Sequence, residues 1–202
     1  MREEHLDGLM TALSIADNFA SIVGIVATGK CAAQWINIDH RVPADQPLQV
    51  DAASVLAMQE ALASSEDVVF LPVNIELPEN THHVNMLVVD RRAGRVWHFE
   101  PLGNRGNQRK HRYRDIRASL ATALGLPVTP FARNCQQNDD YCMLWCLLFA
   151  QHYTPDISAP QLRNRLSYAG IRPLWQVLDD NLKPIYRGFS FNHMRTPSTR
   201  IK

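Results

Sequence analysis

The chain has 202 residues, 46% of them hydrophobic, with 21 Lys and Arg against 20 Asp and Glu for a formal net charge of +1. That length suits one domain with a substantial core, and the balanced charge excludes a molecule drawn as a whole to nucleic acid. No stretch approaches the roughly 18 uninterrupted apolar residues of a membrane span, and "MREEHLDGLM" lacks the features of a secretory signal, so no membrane partner is expected.

An intracellular location, in the cytoplasm or nucleus, follows as an expectation. In such a reducing compartment Cys31, Cys135, Cys142 and Cys146 are expected as thiols, ligands or nucleophiles rather than disulfide partners. The first thirty residues are rich in Ala, Ile and Val, and predict a helix or short strand leading into a turn at "ATGK". "DAASVLAMQEALASSED" then predicts an amphipathic helix capped by Asp51 or Ser54, with Val55, Leu56, Met58 and Leu62 apolar. Three extended segments follow: "VVFLPVNI", "HVNMLVVD" with a buried run from Met86 to Val89, and "RVWHFE". In the last, Val96, His98 and Glu100 alternate with Arg95, Trp97 and Phe99. "DRRAGR", with Gly94, makes a hairpin of the second and third segments. Asn85 is expected at a strand edge and Asp90 at this turn.

Beyond the loop "PLGNRGNQ", helical spacing at Ile116, Leu120 and Leu124 stops at Gly125 and Pro127, and "VTPFA" reads as extended. A helix from Asn138 or Asp139 runs through "YCMLWCLLFAQHY". "APQLRNRLSYAG" and "PLWQVLDDNLKPIYRG" predict two more, ahead of a tail after about residue 191 that is expected to be flexible. The order of helices, then a hairpin-rich sheet, then helices, predicts a single α+β domain over 1–202.

"NCQQNDDYCMLWCLLFAQHY" concentrates three of the four cysteines. With Asp139 or Asp140 as cap, Cys142 falls in the first helical turn, where unpaired N–H groups and the macrodipole favour a thiolate. Cys142 is therefore the candidate nucleophile, and Cys146, one turn deeper, a small core residue. A nucleophile needs a base and the base an orienting acceptor. His83 opens one strand and Glu100 closes the next, so hairpin pairing can bring an imidazole and a carboxylate together. Gln136 or Gln137 on the incoming loop can supply an amide N–H to an oxyanion beside the backbone N–H of Cys142. Two plainer readings stand beside this one, a structural thiol and a zinc site on Cys135, Cys142, Cys146 and His82, although no CxxC pair organises the latter. His5, His40, His98, His111, His152 and His193 receive no role.

The run "FLPVNI…HHVNMLVVD…VWHFEPLG…CQQNDDYC" resembles the superfamily of ubiquitin-like-protein (SUMO) proteases and the adenovirus-type endopeptidase adenain, whose catalytic order is His, Asp or Glu, Gln, Cys. In that family the acid follows the His by seventeen positions and the Gln precedes the Cys by six or seven. Here 17 positions separate His83 from Glu100, and 6 separate Gln136 from Cys142. The resemblance is strongest over residues 68–150. It implies a papain-like cysteine peptidase with a central mixed or antiparallel sheet flanked by helices and the nucleophile at a helix N-terminus. It also implies a Cys142, His83, Glu100 triad with Gln136 in the oxyanion hole, and neither metal nor cofactor. The implied substrates are proteins: ubiquitin-like conjugates and precursors, or viral structural polyproteins.

Where relatives carry Trp after the His, Asp before the Cys and Gly after it, this chain has Val84, Tyr141 and Met143. Those residues motivate an alternative, a catalytically inactive binding or virion-structural protein on the same fold. Acyl transfer by the same triad is a further alternative, since the triad does not fix the acceptor. Arg105, Arg109, Lys110, Arg112, Arg114 and Arg117 form a basic patch that suits an acidic protein or a phosphate backbone, or simply a solvated face. In adenovirus-type relatives nucleic acid assists activity, which makes it an expected partner for the patch. Trp35 is placed either along a substrate cleft, as an early Trp is in the family, or in the core.

Overall fold

A computed structural model describes residues 29–32, 35–43, 45–77, 81–103, 112–132, 135 and 142–171. In chain order its elements are β1 (Lys30–Cys31), β2 (Ile36–Asp39), α1 (Ala52–Ala63), β3 (Val68–Leu77), β4 (Thr81–Asp90), β5 (Arg95–Glu100), α2 (Tyr113–Leu124), β6 (Val128–Ala132), α3 (Cys142–His152) and α4 (Ala159–Arg165). The expected helices over the first 28 residues and over 173–188, and the tail after 191, lie outside the described residues.

The strands form one mixed sheet in the order β1-β3-β4-β5-β6, with β2 also on β3. The α+β class is as the sequence implied, but the segregated order of elements is not. Both β1 and β2 run parallel to β3, β4 runs antiparallel to β3 and to β5, and β6 runs parallel to β5. Parallel neighbours need a crossover, and α1 between β2 and β3 and α2 between β5 and β6 supply it. The four-residue β2 in "QWINID" was not anticipated.

The break between β1 and β2 has a local cause in β3. Ala32 donates its N–H to Phe70 O at 2.8 Å. The next rung of that parallel ladder requires an N–H on residue 72, which is Pro72 and has none. Pairing with β3 is next seen at β2, where Ile36 pairs with Val73. On its other side β3 pairs without interruption with β4 through Pro72 and Met86.

Side chains alternate between the two faces of the sheet and build two core layers. Phe70, Val84, Met86, Val88 and Phe99 pack with α3, whose residues from Cys142 to Ala150 are all buried. Val69, Leu71, Val73, Ile75, Leu87, Val89 and Val96 pack with α1 and α2. A helix that is apolar all round belongs in the interior, and α3 lies across β4 between the sheet and α4.

Helix α1 is capped by Asp51, whose Oδ1 accepts the Ser54 N–H at 2.7 Å. Its buried face differs from the expected one: Ser54, Ala57, Met58 and Ala61 are buried while Leu56 is 54% exposed. Short side chains let the helix approach the sheet closely, and Ser54 Oγ accepts the N–H of Asn37 on β2 at 2.9 Å.

Arg112, assigned to the basic patch, is a structural residue and not part of an exposed surface. Its backbone is left-handed (φ 44°) and its side chain is buried. The guanidinium donates to the carbonyls of Val42, Pro43 and Gln46 and to Asp115 Oδ2, clamping the loop ahead of α1 onto α2. Arg112→Ala strands these carbonyls and is expected to cost about 2 kcal/mol or more. A thermal melt should show Tm lower by roughly 4–8 °C.

Candidate active site

Asp90 pairs with Arg95 across the hairpin turn, and Met86 pairs with Phe99. The turn is held by Asp90 Oδ1, which accepts the Ala93 N–H at 2.8 Å, and by Gly94 at φ 61°. Continuing this register sets Asn85 opposite Glu100 and leaves His83 two residues further along the same face. That diagonal is within reach of two long side chains. His83 Nε2 lies 2.8 Å from Glu100 Oε1, with both side chains almost fully buried. The spacing of seventeen residues thus becomes a contact through the length of one hairpin turn.

The chain turns sharply after Glu100 through Gly103 at φ 61°, whose N–H bonds Glu100 O at 3.0 Å. This turn brings the Leu102 N–H to Glu100 Oε1 at 2.8 Å, a second donor to the oxygen that receives His83. The carboxylate is therefore fixed by backbone on one side and oriented at the imidazole on the other.

Cys142 is the first residue of α3, and its side chain interacts with the His83 ring closely enough to raise the imidazole. Since Nε2 is engaged by Glu100, Nδ1 is the ring nitrogen left available to the sulfur. The other cysteines of the segment explain how that meeting is fixed. Cys146 Sγ donates to Val84 O at 3.4 Å, holding α3 against the residue next to His83. Cys135 donates both its N–H and its thiol to Pro101 O, at 3.1 and 3.3 Å, so the incoming chain is pinned beside Glu100. Burial pushes the Cys146 thiol well up, and its neighbours Cys142, Glu100 and Cys135 add to that. Burial likewise pushes Cys31 up to about 12.

Burial opposes a charge on His83, but Glu100 and then Cys142 outweigh it and raise the imidazole to about 10. The charged form of His83 is thereby favoured, with the Glu100 carboxylate on one side and Cys142 on the other. Around it, the Tyr113 ring stands 6.3 Å from the His83 ring, and Arg117 is close enough to feel the Glu100 charge.

Gln136, and with it Gln137 and Tyr141, lies outside the described residues, as do Arg105, Arg109 and Lys110. Of the rest of the basic patch, Arg114 is exposed on α2 and Arg117 is half-buried toward Glu100. Trp35 is 8% exposed within the α3-side core. Among the described residues no group of three or more His, Cys, Asp or Glu is arranged to hold a metal ion, and no helix is long and apolar enough to cross a membrane.

One residue next to the site differs from expectation, and its partner is buried with it. Asn85, expected at a strand edge, is buried in the middle of the sheet, where its Nδ2 donates to His98 Nε2 at 3.0 Å. His98 was assigned no role, yet it shares its face with Glu100 and is fully buried. The alternation of Val96, His98 and Glu100 in "RVWHFE" was the available signal. Burial lowers His98 to about 4, with Arg117 and His83 acting in the same direction against Glu100. Unfolding restores a value near 6.5, so His98 contributes stability above that pH that is lost as pH falls through about 4. Tm should fall across this window in wild type and fall less in His98→Phe.

No protein-family model matches this chain, and no curated protein matches it. Solved structures similar to it include HopZ1a in complex with IP6 and CoA, at 16% identity and a TM-score of 0.47, covering 83% of this chain and 47% of that one. This chain therefore spans about half the length of the HopZ1a chain, 47% of it. The SUMO protease Ulp1, with its catalytic cysteine oxidised to a sulfenic acid, is similar at 11% identity and a TM-score of 0.40, covering 86% and 78%. The Legionella pneumophila effector protein RavZ is similar at 11% identity and a TM-score of 0.41, covering 79% and 60%.

Proposed function

We propose that this chain is a cysteine peptidase acting on protein substrates, with Cys142 as nucleophile, His83 as acid and base, and Glu100 as the residue that orients His83. The observation that carries the reading is the buried chain of contacts from the Cys142 thiol through His83 to Glu100 Oε1. In the reaction the thiol proton resides on His83 Nδ1 and the sulfur adds to the scissile carbonyl carbon. The resulting oxyanion is met by the Cys142 N–H at the free end of α3 and, on the family pattern, by the Gln136 amide. The tetrahedral adduct collapses as His83 passes its proton to the departing amine, leaving an acyl-enzyme. Water then gives a proton to His83 as its oxygen adds to the acyl carbon, and collapse of this second adduct breaks the C–S bond, releases the acid product and returns the proton to sulfur.

The substrate class follows the motif resemblance: processing or deconjugation of a ubiquitin-like protein, or maturation of a viral polyprotein. A panel of ubiquitin-like proteins ending in a Gly-Gly-derived vinyl sulfone tests it. One member should form a covalent adduct that peptide mapping places on Cys142. Absence of any adduct at that residue across the panel, with hydrolysis of Gly-Gly peptides also absent, would refute the reading.

The second reading, a binding protein that keeps the fold without the chemistry, is favoured by one observation. Cys142 is 3% exposed and Met143 beside it 2%, so little of the sulfur meets solvent. The same panel separates the two, because a binder retains a ubiquitin-like protein reversibly and leaves no adduct.

A further inference from the structure

Behind the His83–Glu100 pair, the inner face of the sheet departs from its own composition. That face is otherwise Val69, Leu71, Val73, Ile75, Leu87, Val89 and Val96, yet Asn85 and His98 interrupt it at its centre. A buried amide and imidazole in an apolar layer are costly unless their polar atoms are paired. They are only partly paired: Asn85 Nδ2 bonds His98 Nε2, while His98 Nδ1 and Asn85 Oδ1 have no partner among the described residues. The third such atom nearby is Glu100 Oε2, the carboxylate oxygen that neither His83 nor Leu102 occupies.

The geometry points to His98 as a positioning residue for Glu100: Asn85 places the His98 proton on Nδ1, and that N–H serves Glu100 Oε2 through one bridging water. This inference rests on the reading of Cys142, His83 and Glu100 given above. The bond from Asn85 Nδ2 makes His98 Nε2 the acceptor, and in a neutral imidazole the proton then belongs to Nδ1. Residues two apart on one strand point to the same side, separated by roughly 7 Å along the chain. A donor and an acceptor facing each other across that gap can share one water, which buried polar sites commonly hold. The groups facing His98 are the Glu100 carboxylate, the His83 imidazolium and Arg117 from α2. Two cations and a buried setting keep His98 neutral, as this role requires. The relay then reads Cys142, His83, Glu100, His98, Asn85, with each member fixing the orientation of the one before.

Nitrogen-detected magnetic resonance of the full chain tests this without turnover. Wild-type His98 is expected in the Nδ1–H form throughout the neutral range. In His98→Phe the His83 titration should fall by about one unit and alkylation of Cys142 by about tenfold, since the two measures are linked. Tm should also fall, because His98→Phe strands Asn85 Nδ2 in the apolar layer. His98→Gln, which keeps a donor, should restore part of the rate. Should His98→Phe fold poorly, the wild-type tautomer still decides: a proton on Nε2 overturns the proposal. An unmoved His83 titration in a folded His98→Phe overturns it as well. If wild-type Cys142 instead shows no peptidase chemistry, that result counts against the proposed function, and the tautomer and titration still judge His98.

Discussion

Cys142→Ala is expected to eliminate covalent capture of a ubiquitin-like probe and to lower hydrolysis of a cleavable substrate by on the order of 10⁴-fold or more. The effect is large because no other described thiol can substitute. Cys31 is held at high pKa by burial, and Cys135 and Cys146 are spent on the carbonyls of Pro101 and Val84. Little stability should accompany the loss, since alanine keeps the backbone of α3 and removes one small buried atom. The matched control is Cys146→Ala. That change leaves Val84 O unpaired and a gap under α3, so it should lower stability by about 1–3 kcal/mol while Cys142 still takes the probe. A thermal melt and a gel-shift assay on the two variants separate chemistry from support.

Glu100→Gln carries the second large effect, and its sign follows from linkage. Folding raises His83 from 6.5 to about 10, so the stability it contributes is fully present below pH 6.5 and is lost as pH rises through about 10. Wild-type Tm should therefore decline on the alkaline side. Glutamine keeps the shape and removes the charge that opposes burial, so the imidazole falls and the alkaline decline moves to lower pH or flattens. Turnover should drop on the order of 10³-fold, because an amide can leave the ring in the wrong tautomer. Melting curves from pH 6 to 10 on both proteins check this; parallel curves would mean that Glu100 does not hold the imidazolium.

The contact between His83 and Glu100 was legible because hairpins convert spacing into contact. Once "DRRAGR" was read as a turn, His83 and Glu100 had to share a neighbourhood, and Cys142 at the opening of an apolar helix was marked by its residue type. Elements whose partners are distant in sequence were not legible. A four-residue β2 has too few positions to show a period, and nothing local says that "INID" runs parallel to β3. Leu56 looked like a core residue because hydropathy ignores how close α1 must come to the sheet, a distance set by Ala57 and Ala61. Arg112 looked like a surface charge among other charges. The three carbonyls it caps come from a loop about seventy residues away, at Val42, Pro43 and Gln46. The expectation of a strand edge for Asn85 failed for the same reason: its pairing with His98 exists only across the strands.

The most direct measurement is the alkylation rate of each cysteine by iodoacetamide at pH 7, resolved by mass spectrometry, in wild type and in His83→Ala. Activation of the sulfur by its imidazole predicts that Cys142 reacts well ahead of Cys31, Cys135 and Cys146, and that removing His83 slows it at least tenfold. A Cys142 that reacts no faster than the other three, or that is indifferent to the loss of His83, would contradict the account.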